Sequence, residues 1–285
     1  MSKVAILTDS NSGITQAEAE REGLYVVPMP FYINDQMFFE EIDLSQEDFY
    51  GRLTEGAEIK TSMPTVGSVT DQWRKLLKDY DEIVYIPMSS GLSSSCETAY
   101  MLAKDEEFDG KVFVVDNQRI SVTQRQSAYD AKMLADQGRS GAQIRDILMD
   151  EKFQSSIYIM VDTLYYLKKG GRISKTVAFA GGVLNIKPVV TFQDGQVQLI
   201  GKARGSRNGN NLLVEKINES GGVDFSKPVL LGYTGLSSAL LDKYEADSSS
   251  LWQGHTEKLE RCLMCSVIGT HAGPGAVAVA FFRKA

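Results

Sequence analysis

Short, unbroken apolar runs lie at residues 4–7 (VAIL), 83–86 (IVYI) and 112–115 (VFVV). Each ends in a polar stretch: Thr8-Asp9-Ser10, Pro87-Met88-Ser89-Ser90 and Asp116-Asn117. Runs of this length, bounded by turn residues, predict strands buried on both faces. Helical segments with start signals alternate with them. Thr15 followed by Glu18 predicts a capping box, Ser45 opens a short helix, and Ser68 caps a helix reaching residue 78. A helix follows Ser95 to about residue 104, a long one covers 121–137, and Ser140 caps another. Residues 24–33 (LYVVPMPFYI) predict a strand region broken by two prolines, as at a sheet edge. This alternation predicts βαβ units and a largely parallel sheet flanked by helices.

The pattern changes after residue 155. Strands are predicted at 156–162, 187–192 and 196–203, the last two joined by a Gln193-Asp194-Gly195 turn. A helix at 206–219 and a strand at 228–233 follow, then one or two helices over 237–261 and a closing apolar strand at 276–282. The expected architecture is an α/β domain over 1–155 and an α+β domain with a mixed sheet over 156–285. A chain of 285 residues suits two such domains.

Bulk properties narrow the function classes. No window approaches 18 consecutive apolar residues, so no transmembrane helix is predicted. The N-terminus, MSKVAILTDSNSG, runs straight into a strand pattern rather than a signal peptide, and the expected compartment is the cytoplasm. A net charge of -7 argues against nucleic-acid binding, which needs a basic footprint. Of three cysteines, Cys262 and Cys265 have CxxC spacing. They follow HTEKLER, read as helical, whose C-terminal end would raise a thiol pKa. Small apolar fillers are therefore expected rather than a redox or metal pair, and no cofactor is expected.

The candidate chemistry lies in loops. Ligands of open α/β sheets bind beyond the C-terminal strand ends. There, five of the eight residues of MSSGLSSS (88–95) are serine, just before a helix. Hydroxyls and helix-start amides together suit an anion or carboxylate without a formal positive charge; N-capping alone explains one or two serines. Both a phosphate loop (GxxxxGK[ST]) and a nucleophile elbow (GxSxG) are absent. A serine triad using Ser93 and His271 stays open as an esterase or acyltransferase reading. His271 sits in GTHAGPGA, where glycines permit a sharp turn or close approach; a core histidine is the alternative. His255 is expected to be solvated or capping. Lys168-Lys169-Gly170-Gly171-Arg172 and Lys202-Ala203-Arg204-Gly205-Ser206-Arg207 are basic clusters in an acidic chain. They suit solvated loops or a local patch for an acidic partner.

In order and spacing, these loops resemble the DegV family of bacterial fatty-acid-binding proteins. The likeness rests on Thr8-Asp9-Ser10, Thr61-Ser62-Met63-Pro64, Ser89-Ser90-Gly91-Leu92-Ser93, Val115-Asp116, residues 167–173 (LKKGGRI), Lys202-Ala203-Arg204 and His271-Ala272-Gly273-Pro274-Gly275. It implies two domains enclosing one long-chain fatty acid, with an apolar tunnel and a cleft between them. It implies no enzymatic activity in this chain: the carboxyl group is presented to a separate ATP-dependent fatty acid kinase that makes an acyl phosphate for phospholipid synthesis, with transient membrane contact. By motif match, Thr61 and Ser93 hydrogen-bond the carboxyl group, assisted by Ser62 and Ser94, with His271 nearby. Arg172 and Arg204 line the cleft or meet the kinase. An acyl-chain sensor without a kinase is a further alternative. Relatives often have glycine then threonine where this chain has Ser94-Ser95, and a lysine run after the position of Arg204. The apolar segments 177–184 (VAFAGGVL) and 31–33 (FYI) serve either as tunnel wall or as core.

Overall fold

The protein is described from a computed structural model, over residues 2–174, 185–193 and 195–284. Two compact units form: Met1–Ser45 with Thr61–Phe153, and Gln46–Lys60 with Gln154–Ala285. Gln46–Lys60, which lies within the expected first domain of 1–155, packs with the C-terminal unit.

The first unit contains strands β1 (Val4–Asp9), β2 (Tyr25–Val27), β3 (Pro30–Ile33) and β4 (Gln36–Phe39). β5 (Ile59–Thr61) ends the inserted segment, and β6 (Glu82–Ile86) and β7 (Val112–Val114) follow. Its helices are α1 (Gln16–Glu22), α3 (Val66–Leu76), α4 (Ser95–Leu102), α5 (Ser121–Asp136) and α6 (Gly141–Asp150); α2 (Gln46–Thr54) belongs to the second unit. A sheet of order β2-β1-β6-β7 is parallel throughout. The apolar runs serve both faces, because side chains alternate along a strand. Ala5, Leu7, Ile83 and Tyr85 pack with Val69 and Trp73 of α3 and Cys96 and Ala99 of α4. Ile6, Val84 and Ile86 pack on the other side with Ala19 of α1, Ala128 and Ala131 of α5, and Ile144 and Leu148 of α6. The proline-interrupted stretch splits into edge strand β2 and β3, which pairs antiparallel with β4.

Two helix starts differ from expectation. Thr15 Oγ1 accepts from Glu18 N at 3.1 Å, as a cap should. The Glu18 carboxylate, however, is held by Arg125 and Tyr129 of α5, which serves tertiary packing instead of the helix start. Thr65 rather than Ser68 caps α3, accepting from Ser68 N at 3.1 Å. Ser140 and Gln143 form the full reciprocal box at α6.

The second unit adds β8 (Ser155–Met160), α7 (Tyr165–Lys169), β9 (Ile186–Gln193), β10 (Gln196–Arg204), α8 (Ser206–Glu219), β11 (Val229–Tyr233) and α9 (Ala239–Asp247). β12 (Leu259–Leu263), α10 (Ser266–Ala272) and β13 (Val277–Phe282) complete it. The sheet order is β10-β9-β8-β13-β11-β12. It is mixed: β12 runs parallel to β11, and the other pairs are antiparallel. Its core joins Val277, Val279 and Phe281 of β13 to Leu213 and Ile217 of α8, Leu241 and Tyr244 of α9, and Trp252. The inserted α2 is anchored here by Tyr50, fully buried, whose hydroxyl donates to Met264 O at 2.6 Å.

Candidate functional site

At the C-terminal edge of the parallel sheet, the turn after β1 is tied inward. Thr8 Oγ1 donates to Ile86 O at 2.8 Å. The buried Asp9 carboxylate accepts three hydrogen bonds: from Met88 N at 2.7 Å, Gln124 Nε2 at 2.9 Å and Asn11 N at 3.1 Å. Gln124, wholly buried on α5, also accepts from Asn11 Nδ2 at 2.7 Å. Burial pushes the Asp9 carboxyl up to about 6, against the opposite pull of its three donors. Thr8-Asp9-Ser10 is thus a brace. Its partner Gln124 escaped sequence reasoning; its one signal is an amide within a long helix that packs on a sheet.

Most serines of the 88–95 loop also have internal duties. Ser90 Oγ donates to Asp116 Oδ2 at 2.5 Å, and Ser90 N to Asp116 Oδ1 at 3.2 Å. Ser89 Oγ accepts from Gly91 N at 3.2 Å, and Ser89 N donates to Arg119 O at 3.2 Å. Ser93 and Ser95 share a hydroxyl bond of 2.7 Å, and Ser93 Oγ accepts from Ser95 N at 3.2 Å. Ser94 is exposed at the N-cap of α4, and its side chain makes no capping bond. The loop therefore presents Ser93 and Ser94 and uses Ser89, Ser90 and Ser95 to hold its own shape. Thr61, half-buried, ends β5, and Ser62 beside it is exposed. Thr98 of α4 hydrogen-bonds Met63 Sδ at 3.8 Å, which ties the Thr61-Ser62 turn to the helix that the serine loop opens.

In the second unit, the two glycine-rich motifs meet. His271 lies in the last turn of α10, not in the loop that GTHAGPGA suggested; the chain turns after it, at Gly273 with φ 76°. α10 packs on α7 so closely that no Cβ fits at Gly170 or Gly273. A methyl group at Gly170 would sit 2.1 Å from His271 Nδ1, and one at Gly273 would sit 2.2 Å from Tyr166 Cδ2. Arg172 folds back, its Nη1 donating to Gly170 O at 2.5 Å. Burial, then the Arg172 charge, pulls the His271 imidazolium down to about 4. The ring is therefore neutral at physiological pH, with one donor and one acceptor nitrogen. Tyr166 was not singled out from the sequence; only the spacing of the Gly170-Gly171 pair hints at a close crossing.

Arg204 is exposed at the end of β10 and pairs in register with Ile186; its carbonyl accepts from Asn208 Nδ2 at 2.8 Å. Segment 177–184 lies outside the described residues. Phe31 is buried and stacks on Phe38 with ring centroids 6.0 Å apart, and Ile33 is buried as well. His255 is not merely solvated: its ring stacks on Phe225 at 4.0 Å and 8°. The CxxC expectation changes too. HTEKLER is not helical throughout: only Thr256–Lys258 form a short 3-10 turn, and Leu259 begins strand β12, so Cys262 lies on that strand and Cys265 is the N-cap of α10. Cys265 is buried. Among the described residues, no group of three His, Cys, Asp or Glu side chains is placed to hold a metal, and no helix is long and apolar enough to cross a membrane.

The family model described as "Uncharacterised protein, DegV family" matches residues 3–284. The chain belongs to the DegV family. Among curated DegV-domain proteins, one from Staphylococcus aureus is 28% identical over 284 residues, covering 100% of both chains. A solved structure described as fatty acid binding of a DegV family protein from Thermus thermophilus superposes with a TM-score of 0.86. It shares 26% identity, over 99% of this chain and 100% of that one. A fatty acid binding DegV family protein from Streptococcus agalactiae matches with TM-score 0.86 and 26% identity over all of both chains. The DegV fold, a helix-flanked parallel sheet and a mixed sheet, is therefore that of this chain.

Proposed function

We propose that this DegV protein binds a single long-chain fatty acid and presents its carboxyl group to a separate ATP-dependent fatty acid kinase. The observation that carries the reading is the full-length match to DegV structures described as fatty acid binding. The local chemistry supports it. When the Ser95 hydroxyl and amide both donate to Ser93 Oγ, the Ser93 proton is left for an outside acceptor. A carboxylate is such an acceptor, and Thr61, Ser62 and Ser94 offer further hydroxyls. His271 serves as a neutral head-group neighbour, and Arg172 and Arg204 face the partner. Transient membrane contact would accompany loading or release.

The energetics suit a carrier. Burying about 14 methylenes yields roughly 11 kcal/mol before association costs. The tail then dominates affinity, and the head group needs only enough hydrogen bonds to offset desolvation. Hydroxyls achieve this without a deep ion pair, so a carboxylate oxygen stays able to attack the γ-phosphorus of ATP in the kinase, with ADP leaving. Equilibrium uptake of labelled palmitate or oleate by delipidated protein tests the reading: saturation at one per chain is expected, and no uptake of either would overturn it.

A further inference from the structure

We propose that Asp9 is a positioning residue for the serine loop at 88–95, holding the start of that loop through Met88 as an ionised carboxylate. The meaning for ligand binding rests on the head-group reading above; the structural claim stands without it. Asp9 lies at the end of β1 and shares no sequence neighbourhood with the loop, 79 residues away. Among the described residues, one oxygen, Oδ2, accepts only from Met88 N, at 2.7 Å. The other, Oδ1, accepts from both Asn11 N and Gln124 Nε2. Ser89 follows Met88 directly, so the first fixed point of the loop is a charge-assisted bond to a carboxylate from another strand. Such bonds are roughly twice as strong as neutral ones.

The division between the two oxygens decides where a proton goes. Oδ1 has two donors aimed at it, so a proton settles on Oδ2 and weakens the Met88 bond specifically. The groups packed around Asp9 leave this unopposed. Gln124 of α5 is uncharged, as is the Asn11 amide. Burial first, and then the Asp9 charge, pushes the Tyr85 hydroxyl of β6 up, and burial, then Asp116 and Asp9, pushes the Cys96 thiol of α4 up, so both stay neutral at physiological pH. Val27 of β2, paired with Asp9, is apolar. Asp116, which acts with Asp9 on Cys96, holds the next residue of the loop, Ser90. Burial raises this carboxyl and the Met88 donor lowers it. When the loop alone opens, Asp9 stays buried and loses that donor, so its carboxyl rises further and low pH favours opening, whereas global unfolding, which exposes Asp9, has the opposite sign.

The test is a titration of the full-length, ligand-free protein from pH 5 to 8 by amide NMR, with protection factors for residues 88–95. The Met88 amide should shift with a single midpoint near 6, and protection of the loop should fall about tenfold below it while the core of β1 keeps its protection. Asp9→Asn should abolish the transition. A Met88 amide that does not titrate, a loop whose protection ignores the Met88 transition, or a transition that survives in Asp9→Asn would each overturn the proposal. Should Asp9→Asn fail to fold, the wild-type titration alone decides. Palmitate uptake at pH 7.5 is measured alongside; its absence would sink the head-group reading and leave the loop result standing.

Discussion

The residue with the most to lose on protonation is His271. Its folded-state value of about 4 lies below the ordinary 6.5 because burial and Arg172 disfavour the imidazolium. In the unfolded chain the ring gains its proton near 6.5. Its contribution to stability is therefore complete above that pH and is lost as pH falls towards 4. The gap corresponds to roughly 3 kcal/mol. Thermal unfolding between pH 7 and 4 should show this slope, and His271→Gln should flatten it; an unchanged slope would contradict the assignment. Asp9 has the opposite sign, since its raised carboxyl favours the folded state at low pH and loses that advantage as pH rises from about 4 to about 6. Gly170 tests the ring by sterics. Gly170→Ala places a methyl 2.1 Å from Nδ1, so the imidazole must move. A loss of about 1–3 kcal/mol is expected in urea unfolding. The His271 ring signals should shift in the NMR spectrum.

Elements show where sequence patterning succeeded and where it could not. The strands β1, β6 and β7 were legible because each is apolar on both faces, which only a covered parallel sheet requires. The strand β12 was not legible. Its LERCL mixes charge and apolar residues like a short helix, and only its parallel pairing with β11 makes it a strand. That one misreading also moved Cys262 and Cys265 to the wrong end of a helix. The assignment of α2 to the second unit was equally hidden, because it rests on a long-range bond. Nothing near Tyr50 in sequence announces Met264, 214 residues away. Tyr50→Phe keeps the packing and leaves the Met264 carbonyl without that donor. A loss of about 1–2 kcal/mol in unfolding is expected; a change below about 0.3 kcal/mol would show that this bond does not hold the helix.

For the whole molecule, the candidate site was legible as a list of motifs but not as a division of labour. Hydroxyls at Thr61 and Ser93 were visible; that Asp9, Asp116 and Gln124 set the loop carrying Ser93 was not, because buried hydrogen bonds between distant segments leave no local pattern. The pairing of Arg172 and Gly170 with His271 was likewise invisible in two motifs about 100 residues apart. A functional division follows from the proposed role. Ser93→Ala should weaken fatty-acid binding roughly tenfold, one hydrogen bond to a charged group, measured by displacement of a fluorescent fatty acid. Arg204→Ala should leave that affinity unchanged and lower acyl-phosphate formation with a fatty acid kinase and ATP. Equal loss of binding in both variants would contradict the division.

The central claim is that the protein carries one long-chain fatty acid. Native mass spectrometry of the protein purified from bacteria measures this most directly. The account predicts a mass increment of one fatty acid per chain, released as a free acid on denaturation; a bare chain that also stays bare after incubation with palmitate and oleate would contradict it.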